Sequence, residues 1–325
     1  MIRRGPFVEG DLVQLTDPKG RLHTIVLEAG GRFHTHKGAI VHDELIGIDE
    51  GSVVTTDLGV GYLALRPLMS DFVLSMPRGA AIIYPKDASE ILFRGDIRPG
   101  HTVVEAGVGS GALSLWLLQA LGATGKLISI ERREEFAQIA RANVESFYHG
   151  APECPWDIEL GDLNDVLPQK PRGSVDRIVL DMLTPWECLD TSLDALVSGG
   201  VIVVYVATVT QLSRVIEAMR QSKRLTPPQA TESMVRNWHV EGLAVRPDHR
   251  GVGHTGFLTW ARKLAPGAVL PEREGRKVKP DYAAEDVEAW TPGAVGARVE
   301  TDKKVKELAK ESAKRARKAA GPEAK

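Results

Sequence analysis

The feature that most constrains this chain is the run Val103-Val104-Glu105-Ala106-Gly107-Val108-Gly109-Ser110-Gly111, an apolar strand that enters a glycine-rich turn and then a helical period. Glycines at 107, 109 and 111 allow a tight turn and let backbone approach a ligand with no Cβ in the way. The N–H groups at the start of the following helix favour an anionic group. The alternation continues downstream: 101–105, 126–131, 156–160, 177–181 and 201–205 read as strands. Helices are expected between them, over 112–121, 134–148, 187–196 and 210–221. Strands that are apolar throughout, with helices between them, predict a mostly parallel sheet covered on both faces, the doubly wound α/β class. Two late runs, 240–246 and 255–262, read as strands joined by a turn and predict an antiparallel ending.

The flanks differ from this middle. Across residues 1–75, short alternating runs such as Leu22-His23-Thr24-Ile25-Val26-Leu27 and Ser52-Val53-Val54-Thr55-Thr56 stand between turn signals, among them Asp17-Pro18-Lys19-Gly20. A small antiparallel sheet or barrel is expected there. The larger domain is expected over 76–265. After it, Pro266, Pro271, Pro280 and Pro292 break any regular element. The Lys-, Ala- and Glu-rich stretch 302–320 predicts a frayed helix, read as a solvated, flexible tail in preference to a basic arm on phosphates.

With 325 residues, a small and a large domain both have room for a core. The basic start lacks the apolar run of a signal peptide, and no window reaches membrane-span length, so a cytoplasmic protein is expected. Cys154 and Cys188 lie in no CxxC pair, and His34 and His36 have no evident third ligand, so neither a disulfide framework nor a metal site is indicated. The formal net charge of −2 neither supports nor excludes RNA, because a basic patch can be masked in the sum.

The glycine spacing is GxGxG, not the dinucleotide GxGxxG, and Glu105 stands two places before the first glycine. A carboxylate there suits the ammonium group of S-adenosyl-L-methionine and repels a pyrophosphate. Glu131, ending the next strand, can accept both ribose hydroxyls. Asp162, after the third, can accept from the adenine amino group. Three carboxylates thus end three consecutive strands, on the side where open α/β sheets bind ligands. Val108, Ser110, Phe136 and Asp181 complete the expected cofactor set. Each carboxylate has a plainer alternative as a helix N-cap.

A fourth strand ends in Asp181-Met182-Leu183-Thr184-Pro185-Trp186, which resembles the acceptor loop of amino-methylating enzymes, though longer and with Trp as its aromatic. Together with Tyr84-Pro85-Lys86-Asp87-Ala88, Tyr205-Val206-Ala207-Thr208-Val209-Thr210-Gln211 and Gly253-His254-Thr255-Gly256-Phe257-Leu258, it makes residues 5–268 resemble the bacterial and archaeal tRNA (adenine-58-N1) methyltransferases. The segment His249-Arg250-Gly251-Val252 departs from that family's pattern, and the C-terminal extension lies outside the resemblance. The resemblance implies a homotetramer with a small N-terminal β-domain, and tRNA as partner. It also implies in-line attack of adenine N1 on the sulfonium methyl, with the base lifted from its stack. Asp181 would accept from N6, Tyr84 would stack on a purine, and Tyr205, Gln211 and His254 would border the substrate. The rivals are a protein or small-molecule methyltransferase of the isoaspartyl type, a non-catalytic tRNA-binding subunit, and an NAD oxidoreductase, the last disfavoured by the glycine spacing.

Overall fold

In the computed structural model, which describes residues 4–249, 251–271 and 302–319, a small antiparallel β-unit precedes a large α/β sheet. The β-unit contains β1 (Leu12–Thr16), β2 (Leu22–Val26), β3 (Arg32–Thr35), β4 (Gly38–Val41), β5 (Val53–Thr55) and β6 (Gly61–Leu65). Four of these form a sheet in the order β2-β1-β6-β5, and β3 and β4 form a separate hairpin. The β1–β2 turn falls at the Asp17 signal, where Asp17 Oδ1 accepts from the backbone N–H groups of Lys19 (2.8 Å) and Arg21 (2.9 Å). Phe7, Leu15, Leu27, Ile40, Leu45 and Tyr62 are buried inside it. Leu12 instead joins the core of the larger domain with Met69 and Phe72, so the two units share packing.

Two helices not expected from the sequence follow, α1 (Met69–Ser75) and α2 (Pro85–Gly95). Pro85 starts α2, where its missing N–H costs nothing, and Asp96 closes it in the left-handed region at φ 47°. The main domain then alternates β7 (Thr102–Ala106), α3 (Ala112–Leu121), β8 (Lys126–Glu131), α4 (Glu134–Tyr148), β9 (Trp156–Leu160), α5 (Leu163–Val166), β10 (Val175–Asp181), α6 (Leu189–Ala195), β11 (Leu196–Val206) and α7 (Val209–Gln221). Gln229–Thr231 (β12) and Phe257–Arg262 (β15) complete the sheet, and Trp238–Glu241 (β13) and Ala244–Pro247 (β14) form a projecting hairpin. The sheet order is β12-β15-β11-β10-β7-β8-β9, parallel except for β15, which runs antiparallel to both of its neighbours. The doubly wound class and its antiparallel ending are therefore present.

Three details differ from the sequence reading. The run 240–246 is not one strand, because Gly242, at φ 53°, reverses the chain into the β13–β14 hairpin. The helix over 187–196 is a short Pro185–Cys188 turn followed by α6, which stops where β11 begins. Most of the extension lies outside the described residues, but Asp302–Ala319 form a helix, α8, packed along α4. Leu308 and Ala309 lie against Phe136, Ile139 and Ala80, so the apolar positions of this stretch give it a docking face that its charge-rich composition hides.

Strand order places the site. From β7 the chain winds outward through β8 and β9, then returns to the other side of β7 as β10 and β11. The crevice above β7 and β10 is the topological switch point, where open sheets of this kind bind ligands. Glu105 lies on β7 and Asp181 ends β10.

Candidate active site

The turn after β7 is shaped by what crosses it. Gly107 has φ 92°, and a Cβ there would collide with the backbone carbonyl of Asp181. Its N–H donates to the Ile130 carbonyl at 3.1 Å. Gly107 is therefore the joint at which the cofactor turn and the Asp181 loop touch. Gly111, at φ 80°, lets α3 pass within contact of Ala140 on α4. Gly109 faces open space, with only Ala80 near, at 3.9 Å from where its Cβ would be. Val108 is buried and receives the Gly111 N–H at 2.9 Å, while Ser110 accepts from the Gly79 N–H at 3.3 Å. Asn143 of α4 ties the pieces together by donating to the carbonyls of Pro77 (2.8 Å) and Ser110 (2.9 Å).

Glu105 is fully buried. Ser114 and Ser129 both donate to its Oε2 at 2.7 Å, and the Trp156 indole N–H donates to Ser129 at 2.9 Å, which turns that hydroxyl toward the carboxylate. Its Oε1 is buried with no partner. Loss of water pushes the carboxyl up to about 7, with the charges of Asp181 and Glu131 adding to the shift against the two hydroxyl bonds. A buried acceptor oxygen with this proton affinity is poorly satisfied alone and well satisfied by a cation. The ammonium of S-adenosylmethionine fits that requirement, and Gly109 leaves room for a ligand to approach.

The other two cofactor carboxylates are already engaged. Glu131 Oε2 accepts from the Gly109 N–H at 3.1 Å, and Oε1 from the Arg132 and Arg133 N–H groups at 3.0 and 3.1 Å. Asp162 is the N-cap of α5, its Oδ1 accepting from the Asn164 N–H at 2.9 Å and its Oδ2 pairing with Arg132 at 3.3 Å. Its plainer reading as a cap is thus realised in the fold. Phe136 is only 1% exposed, with the Arg133 guanidinium 3.7 Å above its ring and Leu308 and Ala309 packed against it.

Across the crevice, the Asp181 carboxylate accepts no hydrogen bond from any described residue. Loss of water raises its carboxyl to about 7, and the Glu131 charge adds to this. Tyr205, opposite it in register on β11, donates its hydroxyl to the Thr255 carbonyl at 2.8 Å. Burial, with the charges of Asp87 and Asp181, holds the Tyr205 hydroxyl firmly protonated. Gly256 is glycine because a Cβ would run into the Tyr205 ring. Tyr84 is the partly buried N-cap position of α2. Gln211 is structural here: its Oε1 completes the capping box of α7 with Thr208, and its Nε2 donates to the Leu183 carbonyl at 3.1 Å, bracing the Asp181 loop. His254 bridges Glu232 (Nδ1, 2.7 Å) and the Ala207 carbonyl (Nε2, 2.8 Å). An acceptor at each ring nitrogen favours the doubly protonated ring, which raises its pKa above the ordinary value.

One cluster escaped the sequence reading. Asp87, only 1% exposed, accepts from Thr255 (2.6 Å), Ser233 (2.8 Å) and Lys86 (2.7 Å), and Lys86 also reaches Thr255 at 2.5 Å. It pins the start of α2 to the segment just before β15, which carries Thr255 and Gly256. A charged pair beside Tyr84 was visible in the sequence, but its partners, about 150 residues away, were not. Ser114 and Ser129 were also missed, although a lone hydroxyl between apolar neighbours on each element was the available signal.

A GxGxG turn at the switch point, a buried carboxylate awaiting a cation and a second one facing it define a class I S-adenosylmethionine-dependent methyltransferase. Comparisons with known proteins narrow this. The TrmI-like N-terminal model matches residues 5–54, and the model of the GCD14 subunit of the tRNA methyltransferase complex matches 63–243. The tRNA (adenine(58)-N(1))-methyltransferase TrmI of Thermus thermophilus is 34% identical over 254 residues, spanning 77% of this chain and 95% of that one. The tRNA (adenine(57)-N(1)/adenine(58)-N(1))-methyltransferase TrmI of Methanocaldococcus jannaschii is 31% identical, spanning 76% and 93%. Among solved structures, a SAM-dependent O-methyltransferase from Thermotoga maritima superposes with TM-score 0.75 at 29% identity, covering 83% of this chain and 96% of that one. The tRNA (m1A58) methyltransferase TrmI from Aquifex aeolicus gives 0.70 at 25% identity, covering 80% and 100%. The chain belongs to the GCD14 family of tRNA methyltransferase subunits.

Proposed function

We propose that this chain transfers a methyl group from S-adenosylmethionine to N1 of adenosine-58 in tRNA, the reaction named for its relatives. The observation that carries this reading is Asp181, a carboxylate with no partner, raised to about 7, whose own backbone carbonyl rests on the cofactor turn at Gly107. S-adenosylmethionine supplies an electrophilic methyl group on a cationic sulfur. Glu105 Oε1 would hold its ammonium, and Glu131 its ribose, sharing lone pairs with the N–H groups it already serves. The turn from Gly107 through Val108, Gly109, Ser110 and Gly111 would shape the floor. Asp162 would act at the adenine end, through an oxygen now shared with Arg132.

Alkylation at N1 places positive charge on the acceptor base and acidifies its N6 amino group. Asp181 would accept from N6, stabilise that charge and, with its pKa near 7, take the proton. Tyr84 would stack on the base, while Tyr205 and Gln211 hold the walls and the Asp181 loop. His254, held between Glu232 and the Ala207 carbonyl, would border the substrate at the rim. We assign this chemistry to residues 76–265. The exposed apolar side chains of the β13–β14 hairpin, Trp238, Val240, Leu243 and Val245, support self-association, consistent with a homotetramer. No helix of the described residues is long and apolar enough to cross a membrane.

The reading is tested by methylating an unmodified tRNA transcript beside one with a different base at position 58. Label confined to N1-methyladenosine in the first supports it. Label in both, or in neither while the cofactor still binds, moves the acceptor elsewhere.

A further inference from the structure

The largest feature that this chemistry leaves unused is α8, which lies beyond the last residue matched by either family model. Ser312 and Ala316 are buried and Leu308 and Ala309 partly so, making an i, i+4, i+8 stripe against Phe136, Ile139 and α4. Docking that stripe fixes the opposite face. Lys310 and Lys314 stand there, with Arg317 at the border toward α4, at i, i+4 and i+7 around a shallow groove over Ala313. Two neighbouring cations are spent, Lys318 on Glu28 of the β-unit and Arg315 on Glu311. Among the described residues Lys310, Lys314 and Arg317 form no ion pair within 4 Å, although Lys314 lies near enough to Glu28 to help lower that carboxyl.

The stripe begins at the catalytic edge. Leu308 abuts Gly79, whose N–H bonds Ser110 of the cofactor turn, and exposed Arg78 precedes Gly79. Arg133, lying over Phe136, and Arg132 are 58% and 71% exposed beside it but pair with Glu131 and Asp162, so they are spent like Lys318 and Arg315. A basic face therefore runs along α8 from Gly79 toward the β-unit, in a chain whose net charge is −2. Spacing of one helical turn between fixed cations suits a polyanion with regularly placed charges.

We propose that α8 is a docked rail for the phosphate backbone of tRNA, gripping the substrate outside the base-reading site. This rests on the tRNA reading above and adds a binding surface to it. Such contacts set affinity and orientation without reading sequence.

The test uses the full chain with Lys310→Gln, Lys314→Gln and Arg317→Gln combined, measuring tRNA binding and KM across a salt series, cofactor Kd, kcat and thermal midpoint. The expected result is a tRNA KM raised roughly tenfold near physiological salt, with the slope of log K against log salt reduced by about 2 to 3. Cofactor Kd, kcat and midpoint should not move, and Lys310→Arg with Lys314→Arg should keep wild-type binding. Unchanged KM and slope, with wild-type protein methylating tRNA normally, would overturn the rail. So would a weaker cofactor Kd with an unchanged salt slope, since α8 would then be only a strut under Gly79. A wild-type chain that neither binds nor methylates tRNA would instead bring down the reading beneath.

Discussion

The two sides of the crevice hold carboxylates in opposite states. On the cofactor side, Glu131 and Asp162 are occupied by backbone N–H groups and arginines, and Glu105 has one oxygen anchored by two hydroxyls. On the acceptor side, the Asp181 carboxylate has no hydrogen-bond partner among the described residues. The first arrangement makes a rigid cradle that a bound cation completes. The second keeps a carboxylate at high free energy until something arrives to share a proton with it. A site that must hold one ligand tightly and release a changed base needs both, and Gly107 joins them, since only glycine lets the Asp181 carbonyl lie across the turn.

The sharpest way to break this comparison is Asp181→Ala. Its kcat should fall roughly a hundred- to ten-thousand-fold, as for loss of a general base, with cofactor Kd little changed. A Kd that rises in step with the loss would assign Asp181 to the cofactor side instead. Next in size is Glu105→Gln, which removes the charge but keeps the shape. Cofactor Kd should rise roughly ten- to hundredfold, with kcat at saturation largely retained, measured by calorimetry and steady-state kinetics.

The pH dependence sharpens it further. Both carboxyls sit near 7 in the free protein, above their ordinary values. Raised values mean the folded chain keeps these protons longer than the unfolded one, so their contribution to stability falls as pH rises from about 4 to about 7. Binding a cationic cofactor needs Glu105 ionised. Its affinity should therefore increase as pH rises toward 7 and fall again above about 8, where the ligand's α-ammonium loses its proton, with proton release on the rising limb detectable by titration in buffers of different ionisation heat. Flat affinity between pH 6 and 8 would mean Glu105 does not meet the charge. The smallest effect is expected for Gln211→Ala, which loses the α7 capping box, about 1 kcal/mol of stability, and slackens the loop at Leu183. A modest drop in kcat without change in cofactor Kd is the expected signature.

Much of this was legible in the chain because periodicity and glycine placement are local. Strands at 126–131 and 156–160 and helices at 112–121 and 134–148 carry their signals in local apolar patterns and match the fold residue for residue. The carboxylates at strand ends were equally visible, since their location follows from strand order alone. What was not legible depends on distant partners. Asp87 gains meaning only from Ser233 and Thr255, and Asn143 only from Pro77 and Ser110. α8 packs against Phe136, and nothing local in a Lys-rich tail announces where it docks. Tyr84, Tyr205 and Gln211 were singled out by motif. For Gln211 the fold shows a cap and a brace instead of an open substrate contact.

The central claim is that Asp181 serves an adenine whose N1 is methylated while the cofactor rests on Glu105. The most direct test is single-turnover methylation of an unmodified tRNA transcript by the wild-type chain and by Asp181→Ala, with cofactor saturating and the modified nucleoside identified by mass spectrometry. The account requires N1-methyladenosine from the wild type, at position 58, and a rate at least roughly a hundredfold lower in the variant at equal cofactor occupancy. Equal rates in the two proteins, or methyl transfer to another atom of the base, would contradict it.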